Sequence, residues 1–147
     1  MGRTSVVTRI LAIAVCLTAC APTPPTAAVN NLFAQAVPFC RIMADPKQYV
    51  DREVLVIGIF ADTPHSGMLY GEGCTNIVEL HGSSNRPGDK RAASILGGAF
   101  QKDIGARVEV VMRGVWRAHP KIVPCTEDSC MRYRLEDTQL LAAKRLR

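Results

Sequence analysis

Two stretches of the chain have the hydrophobic spacing of β-strands. Residues 53–60 carry a nearly unbroken β-branched and aliphatic run, which predicts a strand buried on both faces, and Gly58 within it indicates a bend. Residues 107–117 alternate instead, which predicts one core face and one polar face. The predicted core face consists of Val108, Val110, Met112, Gly114 and Trp116, and the polar face of Arg107, Glu109, Arg113 and Arg117.

Weaker patterns predict three further strands and two helices. The strands are expected at residues 68–73, 76–81 and about 132–143. A helix over residues 91–102 is predicted from apolar positions at three- and four-residue spacing, with Asp89 as its cap. A short helix is expected over residues 38–45, because proline is favoured at a first helical position.

The predicted order of elements is that of a small β-barrel. Three strands, a helix and two strands follow one another, as in the oligonucleotide/oligosaccharide-binding (OB) fold. The pattern of Cys40, Pro46, Tyr49, Val54, Val56 and Gly58 also resembles exported OB-like domains of uncharacterised proteins, in which a cysteine-bearing helix precedes the first strand. We therefore expect a mainly β domain over residues 38–147, a five-stranded OB-like barrel with a short N-terminal helix and a helix between strands three and four.

The amino terminus has the pattern of a secretory signal. Arg3 and Arg9 precede an apolar run over residues 10–17, which is shorter than the roughly 20 residues of a spanning helix. The sequence Leu-Thr-Ala-Cys that ends at Cys20 resembles the lipobox of bacterial lipoproteins. That resemblance implies cleavage after residue 19 and a lipid on Cys20, which would attach the chain to a bilayer. The alternative is an ordinary signal peptide with a coincidental cysteine.

Residues 20–37 begin with a tract rich in proline, threonine and alanine. Such a composition favours an extended segment, so we expect a tether between the lipid and the domain. Ala21 follows the predicted lipidated cysteine, where an aspartate would favour inner-membrane retention in enteric bacteria. The resemblance therefore implies a place in the cell envelope, at the outer membrane and facing the periplasm.

Four cysteines remain after Cys16 is removed with the signal and Cys20 takes the lipid: Cys40, Cys74, Cys125 and Cys130. An even number in an exported domain predicts two disulfides, for which three connectivities exist. We expect Cys125 to pair with Cys130 across a hairpin loop, which leaves Cys40 for Cys74. A four-cysteine zinc site is the alternative, but Cys40 and Cys74 are too far apart for the usual close pairs.

No motif in the chain indicates catalysis. The candidate nucleophiles Ser66, Ser94 and Ser129 do not lie in a Gly-x-Ser-x-Gly turn. The histidines are predicted in or beside turns, and His65, His81 and Cys74 lack the close spacing of metal ligands. We therefore expect no catalytic residues, no metal and no cofactor.

Binding is the function class that remains. An OB barrel binds ligands on the face of strands two and three and with the adjoining loops. The predicted ligand residues are His65, Tyr70, Glu79 and His81, with Arg113 and Arg117 nearby. Removal of residues 1–19 with Arg3 and Arg9 lowers the net charge from +5 to +3, and a positive, sparsely aromatic face suits an anionic small ligand, a glycan or an acidic partner protein. Because the charges are scattered and only 5% of residues are aromatic, we expect no nucleic-acid partner. The alternatives are a structural envelope protein that makes only protein contacts and, less favoured, an envelope enzyme.

Overall fold

The structure is a computed structural model, and it describes residues 25–62, 67–83, 88–103, 105–119 and 132–146. Its helices are α1 (Pro25–Gln35), α2 (Phe39–Ala44) and α3 (Lys90–Lys102), with a 3₁₀ turn at Pro46–Tyr49. Its strands are β1 (Val37–Pro38), β2 (Arg52–Asp62), β3 (Gly67–Tyr70), β4 (Ile77–Ser83), β5 (Val108–Ala118) and β6 (Tyr133–Arg145). Across these ranges, no helix combines the length and the apolar character that crossing a bilayer requires.

Five strands close into a barrel. The hydrogen-bonded order is β2-β3-β4-β6-β5, and β5 pairs back onto β2. Neighbouring strands are antiparallel except β4 and β6, which are parallel. The helix α3 lies between the third and fourth barrel strands, and its cap Asp89 accepts a hydrogen bond from the Ala92 N–H at 2.7 Å. The predicted OB-like barrel is therefore confirmed.

Large apolar side chains fill the interior of the barrel. Trp116 is 0% exposed, stacks on Tyr133 with ring centroids 5.7 Å apart and meets the edge of Phe39. The predicted core face of β5 is buried along its whole length. Gly114 is part of that face because a β-carbon there would lie 2.8 Å from the carbonyl oxygen of Glu136 on β6. The two strands can approach this closely because position 114 has no side chain.

A disulfide links Cys40 on α2 to Cys74 in the β3–β4 connection, with Cα atoms 5.7 Å apart. The predicted pairing of these two cysteines is confirmed. The predicted pair of Cys125 and Cys130 lies outside the described residues. The bond fixes the short N-terminal helix against the segment that leads into β4.

The helix α1 corrects the predicted extended tether. Val29, Leu32 and Phe33 pack against a cluster that contains the buried Val111 and Ala142 on the outside of the barrel. These three residues follow helical spacing, and Pro25 occupies the start of the helix, where proline is tolerated. The tether predicted for residues 20–37 is therefore wrong from Pro25 onward, and the folded domain begins earlier than residue 38. Residues 20–24 lie outside the described residues.

Candidate functional site

A polar surface covers the outside of the barrel on β3, β4 and β6. Leu69 and Val78 are buried in the core, so alternation along their strands turns Tyr70 and Glu79 outward. His81 points to the same side as Glu79 because the two residues are separated by one position on β4. This is the strand face on which an OB barrel binds its ligands.

Glu79 and His81 are in direct contact. The Oε2 atom of Glu79 lies 2.7 Å from the Nε2 atom of His81, and the two side chains are 24% and 42% exposed. A contact of this length is a strong hydrogen bond, charge-assisted by the carboxylate. It orients the imidazole on the outer face.

His119 completes a cluster of possible metal ligands. It lies one residue beyond β5, where its backbone N–H donates to the Arg132 carbonyl oxygen at 2.8 Å and continues the pairing of β5 with β6. One carboxylate oxygen of Glu79 and one ring nitrogen each of His81 and His119 lie within 4.8 Å of one another. We call these three residues the His-Glu cluster. Among the described residues, this geometry is the strongest indication of a site.

The arginines of the same face are paired with acids of the chain itself. Arg117 donates to Asp51 and, at 3.3 Å, to Glu136, which also pairs with Arg134. The hydrogen bond to Asp51 raises the pKa of Arg117 above its ordinary value. An anionic ligand would therefore have to compete with carboxylates that already bind this guanidinium group.

The predicted ligand residues that the structure describes fall into separate groups. Glu79 and His81 meet, and Arg117 lies two positions before His119 in the chain. Arg113 instead lies 3.9 Å from Glu53. His65 lies outside the described residues.

Tyr70 belongs to a different group of side chains. It shares the outer surface, but it lies beside Arg107, which hydrogen-bonds to Glu72. The pKa of Arg107 is raised mainly by Glu72 and to a smaller extent by Tyr70. Arg107 immediately precedes β5, whereas His119 follows that strand. The structure thus brings Glu79 and His81 together with His119, whereas Tyr70 and Arg113 lie beside other side chains.

The outward position of His119 could have been predicted from the sequence, but the prediction of a turn at this residue led away from it. Residues 113 and 117 point outward from β5, and position 119 continues that alternation. Its backbone hydrogen bond to Arg132 extends the strand pairing by one residue, which keeps the alternation intact. The histidine predicted in a turn thus lies on the polar outer face of the barrel.

A cleft of about 670 Å³ lies between the end of α2 and the start of β6. The described residues that line it are Met43, Ala44, Asp45, Pro46, Lys47, Asn76, Arg132 and Tyr133. None of the six predicted ligand residues appears among them. The cleft and the His-Glu cluster are connected through the backbone bond between Arg132 and His119.

No protein-family model, no curated protein and no solved structure matches this chain. Functional inference therefore depends on the chain's own residues. The chemistry that they offer is one carboxylate and two imidazoles beside a set of paired arginines and acids.

Proposed function

We propose that this chain is a lipid-anchored, non-catalytic protein of the bacterial envelope whose OB-like barrel binds a partner protein through its polar outer face. The anchor is the lipobox cysteine, Cys20, and the location is the outer membrane, facing the periplasm. The basic flank, the short apolar run and the ending at Cys20 support this anchor together.

The position of α1 brings the proposed anchor close to the barrel. Cys20 precedes Pro25 by five residues, and even a fully extended chain spans no more than about 18 Å over that distance. Since α1 packs on the barrel, the domain would be held near the membrane surface. A partner at or beside the membrane would be within its reach.

The observation that carries the binding proposal is the contrast between a filled interior and a polar exterior. The barrel interior is filled by Trp116, Phe39 and Leu135, which are at most 1% exposed. We therefore place the proposed binding surface on the outside of the barrel. The outer face instead presents positively and negatively charged side chains next to one another, such as Arg117 with Asp51 and Glu136. Mixed charges of this kind suit a complementary protein surface better than a small anion.

The proposed lipid attachment is tested by replacing the sulfur atom of Cys20 with oxygen. Cys20→Ser should release the protein from the membrane fraction or leave it unprocessed, because serine does not provide the thiol that receives the lipid. Cys16→Ser is the matched control, since it changes a cysteine inside the proposed signal and should leave membrane attachment intact. Unchanged membrane attachment of the Cys20 variant would contradict the proposal.

The binding face is tested by photo-crosslinking in living cells. A photoreactive amino acid at Val115, which lies between Glu53 and Glu136 on the outer face, should give a crosslinked protein adduct. The same group at the exposed Asn31 on α1 is the control and should give none. Arg117→Glu should abolish the adduct at position 115. Equal adducts at both positions, or an adduct insensitive to Arg117→Glu, would contradict a specific partner on this face.

A further inference from the structure

We propose that Glu79, His81 and His119 bind one divalent transition-metal ion of the zinc type on the outer face of the barrel. This inference goes beyond the proposed function and does not depend on lipid attachment or on a partner protein.

The backbone places the three ligands with little freedom to separate. Glu79 and His81 lie on β4, which pairs with β3 on one side and β6 on the other. His119 is held by its backbone bond to Arg132, next to the last pair of β5 and β6.

We expect that side-chain rotation alone can bring the three ligand atoms to metal-binding distances. The three candidate ligand atoms lie within 4.8 Å of one another. Ligand atoms around a tetrahedral zinc ion, with bonds of roughly 2.0–2.1 Å, are about 3.3 Å apart. Glu79 and His81, now 2.7 Å apart, would separate slightly, and His119 would approach them. The metal would replace the direct hydrogen bond between the imidazole and the carboxylate.

The ligand set selects the class of metal. Two imidazoles and one carboxylate are the protein ligands of many zinc centres, in which the fourth position stays open. Imidazole favours zinc, copper and nickel, whereas magnesium and calcium prefer oxygen ligands alone. The open position is available to water or to a ligand atom from a bound partner.

The neighbouring charges are compatible with a cation. Arg117 and Arg134 lie on the same face, but Asp51 and Glu136 pair with them and offset their charge. Glu79 adds a carboxylate to two imidazoles that are neutral when they bind metal. The partly buried position of Glu79 strengthens its attraction for a cation relative to a fully hydrated carboxylate.

The test is a calorimetric titration of the purified, chelator-treated full-length protein in detergent with zinc chloride. We expect saturable binding of one zinc ion per chain. His119→Gln and Glu79→Gln should each weaken the binding at least about tenfold, since even the groups that support metal ligands contribute tenfold or more. Glu109→Gln is the matched control, because Glu109 lies near the start of β5, at the end opposite His119, and its replacement should leave the affinity unchanged.

The near-ultraviolet circular dichroism of the buried Trp116 reports whether each variant keeps the fold. If Glu79→Gln does not fold, His119→Gln alone tests the metal site. This variant should fold because position 119 lies beyond the last residue of β5. The proposal is overturned by the absence of saturable zinc binding. It is equally overturned if His119→Gln binds zinc as tightly as the wild type, or if magnesium chloride binds with the same affinity.

Discussion

Val111 and Val115 lie on the same strand and point to the outside of the same barrel, yet their surroundings differ. Val111 is 0% exposed because α1 packs over it with Leu32 and Phe33. Val115 is half-buried, and its register partners on the two neighbouring strands are Glu53 and Glu136. One outer face therefore behaves as a second core, and the other retains polar groups. An outward position on a barrel strand therefore indicates exposure only when nothing packs over it.

The largest expected effect comes from placing a charge under α1. Val111→Lys should lower the free energy of unfolding by about 3–5 kcal/mol, because the ammonium group would be buried without a partner. Val115→Lys is the matched variant, and it should cost less than about 1 kcal/mol because Glu53 and Glu136 flank the new charge. Urea denaturation measures both. Equal losses would mean that α1 does not cover Val111.

Removing the disulfide should have the next largest effect. The bond between Cys40 and Cys74 closes a loop with a sequence separation of 34, and it anchors the segment before β4. Replacing both cysteines with alanine should cost about 3 kcal/mol, mainly through greater freedom of the unfolded chain.

The same denaturation curves measure this loss. Cys40→Ala and Cys74→Ala alone should each cost as much as the double replacement, because either one breaks the same bond. A double variant as stable as the wild type would show that this disulfide does not stabilise the domain.

A smaller loss is expected from trimming the contact of α1. Leu32→Ala should cost about 1–2 kcal/mol, less than a fully buried leucine, because Leu32 is only partly buried in the contact. Asn30→Ala, an exposed position of the same helix, should change stability by less than about 0.5 kcal/mol. If Leu32→Ala is equally neutral, then α1 is not part of the folded domain.

The smallest effect on stability is expected on the polar face. His119→Gln should change the free energy of unfolding by less than about 0.5 kcal/mol in the absence of metal. Zinc should raise the melting temperature of the wild type but not of this variant, since a ligand that binds only the folded state stabilises it. Differential scanning calorimetry with and without zinc chloride measures the shift, and an equal shift in both proteins would place the metal elsewhere.

The barrel was predictable because its strands bury alternate residues, and this period is visible in a single sequence. The buried face of β5 and the cap at Asp89 followed from local patterns. The pairing of Cys40 with Cys74 followed instead by elimination, from the expectation that Cys125 pairs with Cys130. The helix α1 was missed because its proline and alanine content resembles a linker. Its helical stability depends on packing against Val111, which lies far away in the sequence.

The site was less predictable because it depends on contacts between distant segments. Alternation on β4 placed Glu79 beside His81, but the approach of His119 depends on the parallel pairing of β4 with β6 and the pairing of β6 with β5. The partner of Arg117 could not be predicted either. Asp51 lies 66 positions earlier and reaches it only because β2 closes the barrel against β5.

The mass of the intact, membrane-extracted protein tests the proposed lipid-anchored barrel most directly. The extracted chain should lack residues 1–19 and carry a diacylglyceryl group and further acylation at Cys20. Its Cys40 and Cys74 should react with an alkylating reagent only after reduction. A full-length chain that retains Met1, carries no lipid and has every cysteine alkylated without reduction would contradict it.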